Sequence, residues 1–72
     1  MDEIDFEVRG EYIPLDNLLK ATGLAHSGGA ARLLITEGEV LVDGQVETRK
    51  TCKLRPGQRV VFGDVTITLR SA

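Results

Sequence analysis

Cys52 is the one cysteine in the sequence, so no disulfide can close within the chain, which suits a reducing compartment. With His26 as the one histidine, a zinc site would need several carboxylates placed beside the pair, and no metal or cofactor motif stands out. Tryptophan is absent, and Phe6, Tyr12 and Phe62 are the only aromatic residues. No apolar run nears the roughly 20 residues of a membrane span. The opening residues Met1-Asp2-Glu3-Ile4-Asp5 are acidic where a secretion signal is basic, so a cytoplasmic location is expected. Low-complexity segments and internal repeats are also missing.

What remains describes one small domain over residues 1–72. A chain of this length buries only about 60% of the surface that its unfolded form exposes, enough for one modest core. The apolar share, 42%, is ordinary for a globular domain. The net charge of −2 argues against a polyanionic partner until its distribution is read. Residues 1–19 carry six acids against Arg9, a net −5. Residues 20–59 carry seven bases against Glu37, Glu39, Asp43 and Glu47, a net +3. A partner feels charge within about 8–10 Å, so this asymmetry matters more than the sum.

Along the chain, Ile4, Phe6 and Val8 alternate with Asp5, Glu7 and Arg9, which predicts a half-buried strand over 3–9. Gly10 ends it. Pro14 suits the first turn of a helix. Leu15, Leu18 and Leu19 then supply an apolar stripe over about two and a half turns, stopped by Gly23. Ser27 is a good N-cap for a second helix with its stripe at Ala31, Leu34 and Ile35 and its stop at Gly38. Arg32 lies off that stripe and should face solvent. Val40-Leu41-Val42, Asp43-Gly44 and Gln45-Val46 read as a type I′ hairpin. Thr48 through Arg55 is polar and basic and is expected to loop outward. Pro56-Gly57 marks a turn, and strands through Val60 and Phe62 and through Val65, Ile67 and Leu69 meet at Gly63-Asp64. The expected order is β-α-α-β-β-β-β, an α+β fold with one sheet and two helices.

Four of the seven residues Arg49-Lys50-Thr51-Cys52-Lys53-Leu54-Arg55 are basic. Lysine and arginine on phosphates release counterions, and that term supplies most non-specific nucleic-acid affinity. Standing alone, a cluster this short also fits a solvated polar loop. His26-Ser27-Gly28-Gly29 opens the second helix, where free N–H groups and the helix dipole favour an anion. The same residues also serve as a plain N-cap, and the Gly-Lys-Ser/Thr ending of a nucleotide-binding loop is missing. His26 has no evident nucleophile or carboxylate partner, so it reads as a cap-flanking histidine rather than a general base. Cys52 is either a thiol activated by Arg49, Lys50 and Lys53 or, more simply, a small residue tucked under the loop.

The run Leu15, Leu18, Leu19, Gly23, Ser27, Ala31, Arg32, Leu34, Ile35, Gly38, Val40, Val42 and Gly44, closed by Pro56-Gly57 and Val60, resembles a known pattern. It is that of the RNA-binding domain family named for small-subunit ribosomal protein four, matched over residues 12–62. Within that family the chain looks most like the small stand-alone bacterial YbcJ-like proteins. The similarity runs through Glu37-Gly38, Val42-Asp43-Gly44, Val46-Glu47-Thr48-Arg49-Lys50 and Cys52-Lys53. The resemblance implies an αL-type RNA-binding motif, two short helices packed on a small, mostly antiparallel sheet. It also implies RNA lying along the helix pair and the adjoining loop. Arg32, Arg49, Lys50 and Lys53 match the family's basic positions; Lys20, His26, Ser27 and Arg55 are their neighbours. Two departures stand out: Gly28 where many members place an arginine, and Asp43 where many place an asparagine.

The resulting expectation is a non-catalytic, monomeric RNA-binding protein that contacts structured RNA, with ribosomal RNA one case. Too few aromatics are present for base-stacking platforms. The competing expectation is a protein-interaction module that docks through the acidic first strand or a sheet edge, so a protein partner stays open. A sulfur-carrier reading would require a terminal Gly-Gly where this sequence reads Ser71-Ala72.

Overall fold

A computed structural model describes residues 2–72. Strand β1 spans Asp2–Val8 and the two-residue strand β2 Ile13–Pro14. Helices α1 (Leu15–Ala21) and α2 (Gly28–Thr36) follow, and then β3 (Val40–Val42), β4 (Gln45–Val46), β5 (Lys53–Leu54), β6 (Arg59–Phe62) and β7 (Val65–Ser71). Five strands form one sheet in the order β1-β7-β6-β3-β4; β2 and β5 pair separately as a short antiparallel ribbon. Every pair in the large sheet is antiparallel except β1 with β7, which run parallel from Asp2↔Val65 to Val8↔Ser71.

The alternation in the sequence sets which face is buried. Ile4 and Phe6 lie opposite Ile67 and Leu69, and Val60 lies opposite Ile67 and Val42, so these side chains point to one face. The helices cover that face. Leu15, Leu18 and Leu19 of α1 and Ala31 and Ile35 of α2 are buried with Val8, Val40, Leu54, Val60, Ile67 and Leu69 in a single core. Among the described residues that core holds no buried polar or charged side chain. Glu3, Asp5, Glu7, Thr66, Thr68, Arg70, Arg59, Val61 and Leu41 occupy the opposite, open face.

The ends of α2 fall where expected. Ser27 Oγ accepts from the Ala30 N–H at 3.1 Å, while Gly38, at φ 78°, and Glu39 donate to Ile35 and Leu34 carbonyls in a Schellman arrangement. Asp43 (φ 51°) and Gly44 (φ 85°) are both left-handed, as a type I′ hairpin requires. Helix α1 differs from expectation. It has seven residues, and Pro14 precedes its first turn as the N-cap, because that residue's extended backbone (ψ 145°) is engaged in β2.

The expected outward loop over 48–55 is corrected. Leu54 has no exposed surface and Cys52 is half-buried against the core. The ribbon pairing Ile13↔Leu54 and Pro14↔Lys53 draws this segment across the start of α1. The second sheet that results was not expected either. Two-residue strands carry almost no periodicity, although Cys52 and Leu54 alternating with Lys53 and Arg55 is a faint version of it.

Candidate nucleic-acid interface

Helix α1 begins without a side-chain cap. Its first two N–H groups are instead satisfied by the basic segment: Leu15 N donates to the Cys52 carbonyl at 2.9 Å and Asp16 N to the Lys50 carbonyl at 3.1 Å. Those bonds, with Leu54 buried as an anchor, fix the backbone of residues 50–54 against the start of α1 and leave the charged side chains outside.

Two adjoining hollows result. One, of about 330 Å³, is lined by Gly29, Arg32, Leu33 and Thr36 of α2 together with Lys50. The other, of about 530 Å³, is lined by Arg49, Thr51, Cys52, Lys53 and Arg55. The structure thus places Arg32 beside Lys50 in one hollow and Arg49, Lys53 and Arg55 in the other. Lys20, in the last turn of α1, and His26, in the connection before α2, are exposed but line neither hollow. Ser27 is half-buried and occupied as the cap of α2. The acidic strand β1 and the hairpin strand β4, after which the basic segment begins, lie at opposite edges of the sheet.

The cations are not equally available. Arg49 grips Glu47 through two side-chain bonds, Nε to Oε2 at 3.0 Å and Nη2 to Oε1 at 2.9 Å, and its backbone N–H also donates to Oε2 at 2.9 Å. The guanidinium and that N–H hold the Glu47 carboxyl down at about 2, and the carboxylate in turn raises the Arg49 pKa above its ordinary value. Arg32 folds back along its own helix: Nε donates to the Gly28 carbonyl at 3.2 Å and lies 3.9 Å from Asp16 Oδ2. Lys53 sits over the Tyr12 ring, 5.1 Å from its centroid. Lys20, Lys50, Lys53 and Arg55 form no ion pair among the described residues. The local pairing Glu47–Arg49, two residues apart at the end of β4, was visible in the sequence and lowers the effective charge of the cluster.

Both departures from the family pattern acquire a local reason. Any side chain at position 28 would start 3.1 Å from Arg32 Nη2, so the Arg32 guanidinium occupies the space beside Gly28. The Asp43 carboxylate accepts from Gln58 Nε2 and from the Arg59 N–H, both at 3.0 Å, and these bonds lower its pKa. It therefore clamps the hairpin to β6. The Cys52 thiol is not activated: burial, then Glu47, push its pKa up, against a smaller lowering by Arg49. Among the described residues no group of His, Cys, Asp and Glu side chains is assembled as metal ligands, and no helix is long and apolar enough to cross a membrane.

The pattern of the S4 domain family matches residues 6–70. The protein YbcJ of Escherichia coli K12 is 51% identical over 51 residues, covering 71% of this chain and 73% of that protein. The YbcJ solution structure, described as revealing an αL motif involved in RNA-binding, superposes with a TM-score of 0.69 at 38% identity, covering 99% of this chain and 89% of that one. Small ribosomal subunit protein uS4 of Geobacillus thermodenitrificans is 41% identical over 56 residues, which are 78% of this chain but only 28% of uS4.

Proposed function

This chain belongs to the S4 domain family, and from that premise we propose that it is an RNA-binding protein whose contact surface is formed by α2 and the segment 49–55. The observation that carries the reading is the pair of hollows, one lined by Arg32 and Lys50 and the other by Arg49, Lys53 and Arg55, joined through the continuous segment 49–55. The relatives support the ligand class, since one is described with a motif involved in RNA-binding and the other is a ribosomal protein.

The mode of contact follows from side-chain chemistry. Lys50, Lys53 and Arg55 meet phosphates as unpaired cations. Arg32, held over the start of α2, reaches a phosphate or a 2′-hydroxyl with its remaining guanidinium donors. Lys20, His26 and Ser27 flank the surface, and Arg49 contributes only by exchanging Glu47 for RNA. Tyr12 is the one aromatic with substantial exposure, and Lys53 already covers it, so shape and backbone contacts rather than base stacking suit this surface. Structured RNA, ribosomal RNA among it, is the ligand that fits. The protein acts in the cytoplasm as a monomer and supplies no chemistry of its own.

Crosslinking in cells followed by sequencing of the recovered RNA tests the assignment. Enrichment of a defined structured RNA, lost when Lys50, Lys53 and Arg55 are replaced by alanine, is the expected result. Recovery no greater than that of an unrelated acidic protein of similar size would refute it.

A further inference from the structure

Strand β1 is the long free edge of the five-stranded sheet. In its parallel ladder Asp2 donates its N–H to Asp64, and Val8 accepts from Ala72. The even-numbered residues therefore spend their backbone groups on β7, while the N–H and C=O groups of Glu3, Asp5 and Glu7 point outward. No other element takes them up among the described residues. The side chains of these three residues lie on the open face of the sheet, and Ile4 and Phe6 lie on the core face. At the C-terminal end of the strand a cavity of about 600 Å³ opens, lined by Phe6, Glu7, Arg9, Tyr12, Ile13, Pro14 and Asn17.

We propose that this edge is a docking site for an extended peptide of alternating basic and apolar residues, which adds to the sheet as a sixth strand beside β1. Backbone pairing would use Glu3, Asp5 and Glu7. Basic side chains of the peptide would fall beside Glu3 and Glu7 and compete with Arg70, 3.2 Å away, for Asp5, and the alternate, apolar ones would continue the row of Ile4 and Phe6. The last apolar side chain enters the cavity, against Phe6, Tyr12, Ile13 and Pro14, while Glu7 and Arg9 offset each other in charge. Charge complementarity selects this occupant over a second copy of the chain, because two acidic edges would repel. The opposite edge, β4, has two residues and offers no comparable length. This site meets the proposed RNA-binding surface only at the contact of Lys53 with Tyr12 and does not rest on that reading.

Titrating the isotope-labelled chain with the peptide Lys-Val-Lys-Phe-Lys-Val, and separately with Lys-Lys-Lys-Val-Phe-Val, tests it by nuclear magnetic resonance. The alternating peptide should shift and protect the amides of Glu3, Asp5 and Glu7, and the blocked one should bind at least about tenfold more weakly. Equal binding of the two, or shifts confined to α2 and residues 49–55, overturns the proposal. Asp5→Pro removes an outward N–H, spares the backbone ladder of β1 with β7, costs only the exposed Asp5–Arg70 ion pair and should weaken binding about tenfold. Glu3→Lys with Glu7→Lys leaves the backbone intact and should weaken it at least about fivefold. Wild-type affinity in both variants, or in the charge-reversed one where Asp5→Pro does not fold, also overturns it.

Discussion

Replacing Lys50, Lys53 and Arg55 together with alanine removes three cations that have no acidic partner. The logarithm of the affinity falls with the logarithm of salt concentration by about 0.7 per phosphate contact for single-stranded RNA and by up to about 0.9 for a duplex. If each cation meets one phosphate, the slope should flatten by about 2 to 3. Between 50 and 200 mM salt, a factor of about 0.6 in log units, the triple variant should lose about 1.3 to 1.6 fewer log units of affinity than the wild type. The control comes from the Glu47–Arg49 pair, whose two charges are spent on each other at 2.9 Å. Replacing both with glutamine leaves net charge unchanged and should leave the slope unchanged, whereas Glu47→Gln alone frees Arg49 and should steepen it by up to about 0.9. Fluorescence anisotropy of a labelled RNA hairpin at four salt concentrations reads all of these. An unchanged slope in the triple variant, or a slope that falls when the pair is removed, would refute the ranking of cations derived from their partners.

Leu54→Ala should cost about 2–5 kcal/mol, since the side chain is fully buried, against a total stability of about 4–11 kcal/mol for a chain of this length. Urea unfolding checks it, and Val46→Ala, 58% exposed, should stay within about 0.5 kcal/mol. Glu47 and Asp43 have folded-state pKa values below the ordinary ones, so their contribution is complete above about 4.5 and disappears as the pH falls towards 2. Melting temperatures at pH 5.5, 3.5 and 2.5 should therefore drop less steeply in Glu47→Gln than in the wild type; parallel curves would remove the pair from the account. Gly28→Arg adds a cation but must displace Arg32 from its place beside residue 28. RNA affinity should rise by less than the tenfold that a full charge-assisted contact of about 1.4 kcal/mol would add, and a larger gain would mean that Arg32 is not bound to that position.

Sequence periodicity resolved what spans enough residues to have a period. Strand β1, the stripes of both helices and the Asp43-Gly44 hairpin follow from alternation, i, i+3, i+4 spacing and turn chemistry. The family likeness supplied the αL arrangement. The second sheet was not legible, because β2 and β5 are two residues each and their pairing joins positions about 40 apart. Among the candidate site residues, Arg32, Arg49, Lys50, Lys53 and Arg55 are nominated by the pattern, but the unequal pairing of their charges is not. Asp16 beside Arg32 and Tyr12 under Lys53 are tertiary neighbours, and no local signal announces them. Glu47–Arg49 is the exception, a pairing two residues apart that composition alone counts as a plus and a minus.

Main-chain oxygens at positions 50 and 52, and not their side chains, close the start of α1. Any non-proline residue supplies such an oxygen in the same place, so the exposed position 50 is free to change without unravelling the helix, while position 52 is held by its packing on the core. The scaffold thus separates what holds the fold from what faces solvent. Exposed side chains on this segment can therefore be exchanged one at a time, each step nearly neutral for stability.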